Sequence, residues 1–102
     1  MIKKRKHRDY RESLIQDLQD QKEALAYLNA ALIDEDQRVF LLALKDVLEA
    51  QGGSFTELAE ETELNRENLY RMFSAKGNPK LANLRSVLHT FGLELAIQPS
   101  RR

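Results

Sequence analysis

The stretch SFTELAEETELNRENLYRMF, residues 54–73, contains two short amphipathic segments separated by a tight break at residues 63–65. Ser54 is followed three residues later by Glu57, which matches a capping box and predicts the start of one helix. Asn65 is the N-cap candidate of the next helix. The inner face of that second helix carries Leu69, Met72 and Phe73. Two helices joined by so short a turn have the layout of a helix-turn-helix.

In this layout the second helix presents its polar side chains outward. The residues able to face outward are Asn65, Arg66, Glu67, Asn68, Tyr70 and Arg71. The two helices must approach closely where they cross, which requires a small residue, and Ala59 is expected at that crossing. Leu64 is expected to bury the turn.

Helices are also predicted on both sides of this pair from the spacing of apolar residues and from cap residues. They are expected near residues 10–18, over 21–33 after an Asp20 cap, from the acids at 34–36 to Gly52, and from Pro79 to Gly92. Residues 93–98 alternate apolar and polar side chains, which predicts a short β-strand. Its free edge needs a partner: a twin chain, another protein or an early segment of the same chain.

The predicted fold class is therefore all-α, with a short C-terminal strand. The chain has 102 residues, about the length of one domain. Residues 1–8 are expected to form a basic flexible leader, 9–98 a single domain, and 99–102 a tail. Within the domain, the expected parts are N-terminal helices over 9–35, a helix-turn-helix core over 36–92 and the strand over 93–98.

The composition excludes several classes of function. No cysteine is present, so disulfides and thiol catalysis are excluded. The longest apolar run, residues 39–44, is far shorter than the roughly 20 residues that span a bilayer. No nucleophile and base spacing, metal motif or phosphate-binding glycine loop is present, so neither an enzyme nor a cofactor is expected. We expect a cytoplasmic protein with no membrane partner.

The net charge is zero, but the charges are segregated along the chain. Residues 1–8 hold five basic residues and no acid, and 9–50 hold four basic residues against ten acids. Residues 51–64 hold four acids and no base, and 65–102 hold seven basic residues against two acids. Segregated charge indicates two different partners, one for the acidic part and one for the basic part. The alternative is that these are ordinary charged helix surfaces.

The chain resembles the cro/C1-type, lambda-repressor-like helix-turn-helix proteins, and among them the HigA-like antidote proteins, or antitoxins, of addiction modules. The resemblance covers residues 9–98. The residues that carry it are Leu58-Ala59, Leu64-Asn65-Arg66, Leu69-Tyr70-Arg71, Pro79, Leu81, Leu84 and Gly92-Leu93, within the stretches FLLALKDVLEAQGG and LNRENLYRMFSAKGNPKLANL.

The resemblance implies an antitoxin that neutralises a RelE/ParE-like (HigB-like) ribonuclease toxin and represses its own operon. The expected partners are that toxin, operator double-stranded DNA and a second copy in a homodimer. Such toxins are typically basic, so the acidic region 9–64 suits them as a docking surface. When bound to its operator, the protein would be associated with the nucleoid.

The resemblance also implies site residues. The outward set Asn65 to Asn68, Tyr70 and Arg71 is expected to enter the major groove, where arginine reads guanine and asparagine pairs with adenine. Lys76, Asn78 and Lys80 are expected to hold phosphates. The alternative for each of these side chains is an ordinary solvated position.

Two departures from the family pattern lie in this pair of helices. Many relatives have a phosphate-binding glutamine where this chain has Phe55, and we expect Ser54 or Thr56 to replace that contact. Relatives also have glycine in the turn where this chain has Glu63, so a slightly different turn backbone is expected. Glu63 and its acidic neighbours on the first helix are expected to face away from DNA.

Other interpretations stay open. The basic leader is either a minor-groove arm or a frayed terminus. Dimerisation is expected through the C-terminal strand or through the N-terminal helices. The chain could instead be a toxin inhibitor or adaptor that does not bind DNA, which zero net charge and Glu63 favour, or a stand-alone cro/C1-type regulator.

Overall fold

The computed structural model describes residues 7–100, with side chains from residue 10 onward, and these residues contain six α-helices. They are α1 (His7–Asp17), α2 (Gln21–Ile33), α3 (Gln37–Ala50), α4 (Phe55–Thr62), α5 (Arg66–Met72) and α6 (Leu81–Thr90). The all-helical prediction is confirmed for these residues. Residues 1–6, most of the predicted basic leader, lie outside the described range, and α1 begins within that leader at His7.

Four of the helices begin at the cap residues that the sequence predicts. The Asp20 and Asp36 carboxylates each accept a hydrogen bond, at 3.0 Å, from the backbone N–H two residues further on. Ser54 and Asn65 accept from the N–H three residues on, at 3.2 and 2.7 Å. Each cap contributes about 1 kcal/mol and fixes where its helix starts.

The core forms around α3, which packs against α1 and α2, while α4 packs against α5 and α6. Leu44 and Val47 of α3, Leu69 of α5 and Val87 of α6 are all 0% exposed. The other buried residues are Leu18, Ala24, Leu28, Phe40, Leu41, Ala43, Leu48, Ala50, Leu58, Met72, Phe73 and Leu88. Because Leu69 is one of these core residues, the opposite face of α5 is left toward solvent.

A polar cluster ties the first three helices together. The Arg11 guanidinium on α1 binds Asp46 at 2.9 Å and Glu49 at 2.8 Å, both on α3. The Tyr27 hydroxyl on α2 donates to the other Asp46 oxygen at 2.7 Å. Hydrogen bonds to the two carboxylates raise the pKa of Arg11. Burial, followed by the bond to Asp46, raises the pKa of Tyr27 to about 12.

The turn between α4 and α5 has a left-handed residue at Glu63, with φ 63° and ψ 13°. We expected the missing glycine to alter the turn backbone; instead Glu63 itself adopts a conformation that glycine adopts readily. The neighbouring contacts hold it there. The Thr62 hydroxyl donates to the Leu58 carbonyl at 2.7 Å and accepts from the Leu64 N–H at 3.2 Å, and Leu64 packs against the core.

Residues 93–98 do not form the β-strand that their alternating pattern predicts. A strand needs a neighbouring strand, and residues 7–100 supply none. The Leu93 N–H instead bonds to the Leu88 carbonyl at 3.0 Å, which caps α6 around the left-handed Gly92. The alternation survives only in part, because Leu95 packs on the core while Ile97 is 100% exposed.

Candidate nucleic-acid interface

The predicted outward side chains of α5 all lie on the surface. Arg66 and Arg71 are exposed, as are Glu67 and Asn68. Tyr70 is 54% exposed. The chain's own packing therefore leaves both arginines accessible to a ligand.

Three members of the set also have structural roles. The Asn65 side-chain oxygen caps α5, which leaves its amide nitrogen free to donate. Glu67 lies in the first turn, where a carboxylate complements the helix dipole. The Tyr70 ring meets the edge of Phe55 with centroids 4.6 Å apart, and Phe55 stacks on Phe73 at 5.4 Å. Phe55 therefore packs against the Tyr70 ring and orients it.

A polar groove of about 310 Å³ brings together residues from α5, from the loop after it and from α6. It is lined by Asn68, Arg71, Met72, Lys76, Asn78, Pro79, Lys80 and Asn83. Five of these are predicted base or phosphate contacts. Three of the eight carry a positive charge and none is acidic, so the groove attracts anions. Asn83, on α6, is the one additional polar residue that the sequence did not indicate.

The loop between α5 and α6 is fixed by two contacts distant in sequence. The Gln37 side-chain amide, at the start of α3, donates to the Gly77 carbonyl at 3.0 Å and approaches the Asn78 side-chain oxygen at 3.5 Å. Gly77 is buried, and a Cβ there would collide with the Met72 carbonyl. The loop thus passes directly over the end of α5, which places Lys76 and Asn78 beside that helix.

The predicted phosphate contacts at the start of α4 lie apart from this groove. Ser54 lines a second groove, of about 470 Å³, together with Glu57, Glu60 and Glu61. Its hydroxyl already accepts the Glu57 N–H, and the surrounding carboxylates repel phosphate. Thr56 is exposed and lines neither groove. The two grooves share no residue, so the acids around Ser54 are not part of the basic groove.

Within residues 7–100, none of the helices has both the length and the apolar character needed to cross a bilayer.

The chain belongs to a family described as "Probable addiction module antidote protein", whose model matches residues 10–99. A relative from Haemophilus influenzae, described as "Uncharacterized protein", is 31% identical over 84 residues, which cover 82% of this chain and 84% of the relative. No solved structure matches the chain. An antidote of an addiction module has a toxin as its partner.

Proposed function

We propose that this antidote protein is a HigA-like antitoxin of the cro/C1 helix-turn-helix type. It neutralises a RelE/ParE-like toxin through its acidic N-terminal part and represses its own operon through α4 and α5. In this proposal α4 and α5 are the helix-turn-helix, and α5 is the recognition helix. The observations that carry the DNA-binding part are the groove that gathers Arg71, Lys76 and Lys80, and the exposure of Arg66 in the first turn of α5.

The division of work within the interface follows from the contacts of each side chain. Arg66 and Arg71 are exposed and long enough to reach base edges in a major groove, and a bidentate arginine to guanine contact discriminates by about 1–3 kcal/mol. Lys76, Asn78 and Lys80 would bind phosphates on one side of α5 and set its orientation. The acids of α4 line the second groove, which shares no residue with the groove around Arg71, Lys76 and Lys80. This supports their facing away from the duplex.

A homodimer completes the DNA-binding proposal, because two recognition helices on two half-sites multiply specificity. Residues 93–98 are the candidate contact. Their backbone forms no strand pairing among the described residues, and the exposed side chains of Leu81 and Ile97 line a groove of about 350 Å³ there. A second copy would supply the missing neighbouring strand.

The test uses DNA from upstream of the protein's own operon, with binding measured by fluorescence anisotropy at fixed salt. Arg66→Ala should weaken binding by about 1–3 kcal/mol and relax the preference at one base pair. Arg38→Ala, which removes an exposed arginine from α3, is the matched control and should leave affinity unchanged. Neutralisation of the toxin should survive Arg66→Ala. Loss of both activities together would contradict the proposed division.

A second candidate function is a toxin inhibitor or adaptor that does not bind DNA. The observation in its favour is Glu63 in the α4–α5 turn, an exposed carboxylate next to the proposed recognition helix. Retention of the toxin with no affinity for upstream DNA at low salt would support this alternative.

A further inference from the structure

The outer face of α2 is apolar although it lies on the surface. Residues 24–33 read ALAYLNAALI and contain no charge, in a chain of which 31% of residues are charged. On this helix Leu25 is 46% exposed, Leu32 50% and Ile33 77%.

These exposed side chains lie on one side of the helix. Positions 25, 26, 29, 30, 32 and 33 fall within somewhat less than half of the helix circumference, at about 100° per residue. We call Leu25, Ala26, Asn29, Ala30, Leu32 and Ile33 the α2 outer face; five of the six are apolar. The opposite side, with Ala24 and Leu28, is buried against the core. A helix that is apolar on both sides is normally covered on both sides.

A cavity at one end of this face offers an anchor point. It has a volume of about 200 Å³. Leu32 of α2, Phe40 and Leu41 of α3, and Pro79 and Leu84 supply the apolar part of its lining, and Asp34, Gln37 and Asn78 supply the polar part. Binding energy at protein interfaces concentrates where a large apolar side chain fills such a pocket. The face and the cavity together therefore fit a partner protein that presents one protruding apolar side chain.

The charges around the face select the kind of partner. Glu23 precedes the face on α2, and Asp34 and Glu35 follow it directly; Lys22 is the one basic residue on that helix. Residues 9–50 as a whole carry ten acids against four basic residues. A second copy would bring two acidic rims together, and DNA would be repelled, so like-charge repulsion disfavours both. A protein with basic side chains around an apolar patch is favoured.

We infer that the α2 outer face is the docking surface for the toxin partner, which covers it with an apolar patch ringed by basic side chains. This inference rests on the proposed antitoxin function. It assigns the contact to one helix of the acidic region, and it separates the toxin surface from residues 93–98.

The test uses isothermal titration calorimetry to measure how tightly this chain binds the purified protein encoded by the adjacent gene. Ile33→Lys and Ala26→Lys place a cation near the two ends of the face, at exposed positions; circular dichroism checks that each variant keeps the fold. Each should weaken binding by about 10- to 100-fold, because a lysine meets apolar and basic groups of the partner. Leu42→Lys makes a matched apolar-to-lysine change at a side chain of α3 that is 59% exposed and lies outside the face, and should leave toxin affinity unchanged. Glu35→Lys should weaken binding by a smaller factor that shrinks at high salt.

Two results would overturn the inference while leaving the antitoxin function in place. One is tight toxin binding that Ile33→Lys does not change. The other is Ile33→Lys turning a dimer into a monomer, measured by sedimentation, with toxin affinity retained, since the face would then be covered by a second copy. If the wild-type chain does not bind the protein encoded by the adjacent gene at all, the antitoxin function itself fails, and this inference fails with it.

Discussion

The Gln37 side-chain amide, in the first turn of α3, donates a hydrogen bond to the Gly77 carbonyl in the loop after α5, with 3.0 Å between the two atoms. This bond fixes the loop that carries Lys76 and Asn78. Gln37→Ala should lower the free energy of unfolding by about 1 kcal/mol, because the partly buried carbonyl loses its donor. Urea denaturation measures the change. Arg38→Ala removes a neighbouring but exposed ion pair with Asp36 and should cost clearly less, because solvent-exposed ion pairs contribute little to stability; equal costs would contradict the role of Gln37.

Gly77 is expected to be the least replaceable glycine among those described. In Gly77→Ala the new Cβ collides with the Met72 carbonyl, which is backbone and cannot move aside cheaply. We expect a loss of about 2–3 kcal/mol. Gly52→Ala is the comparison: its φ is +75° but nothing lies within 4 Å of the added Cβ, so only the left-handed conformation costs energy, roughly 1 kcal/mol. Thermal unfolding of both variants tests the order.

Glu63 holds an unfavourable left-handed backbone, so Glu63→Gly should stabilise the protein. The net gain should be about 0.5–1 kcal/mol, since the relief of strain exceeds the greater chain entropy of glycine in the unfolded state. Glu60→Gly, three residues earlier within α4, should instead destabilise by about 0.5–1 kcal/mol. Urea denaturation measures the free energy of unfolding of both variants. A gain for Glu63→Gly with a loss for Glu60→Gly would support the strain at Glu63. Destabilisation by both changes would show that the turn depends on the Glu63 side chain.

The Tyr27 bond to Asp46 predicts a loss of stability at alkaline pH. The folded protein holds the Tyr27 proton to a pKa of about 12, whereas an unfolded tyrosine has a pKa of about 10. The stabilising contribution is therefore complete below about pH 10 and declines as the pH rises toward 12, because the folded state binds more protons over that interval.

Tyr27→Phe tests this linkage. At pH 8 it should cost about 1–2 kcal/mol, since the Asp46 carboxylate loses its phenol donor. Between pH 9 and pH 11 the difference between wild type and variant should shrink. A difference that stays constant across this interval would mean that the phenol proton is not linked to folding.

Much of the fold could be predicted because the signals are local. The caps at Asp20, Asp36, Ser54 and Asn65 each bond within three residues, so residue type and position were enough to place the helix starts. The exposed side of α5 followed from the spacing of its inner residues, of which Leu69 is fully buried.

The features that were missed depend on distant contacts or on a partner. The Gln37–Gly77 bond joins residues 40 apart and the Arg11–Glu49 bond residues 38 apart, and no periodicity encodes such pairs. At Glu63, packing of the adjacent turn overrides the local preference against a left-handed conformation. The strand at 93–98 was predicted from a real alternation, but a strand exists only when a second strand pairs with it.

The most direct test of the proposed interface is the salt dependence of binding to upstream operon DNA. We predict that the wild-type protein prefers this DNA to a scrambled duplex and that its affinity falls steeply as salt rises. Lys76→Ala and Lys80→Ala should each reduce the slope of log affinity against log salt by about 0.9, the loss of one phosphate contact. Equal, weak binding to both duplexes, with a slope that neither lysine changes, would contradict the account.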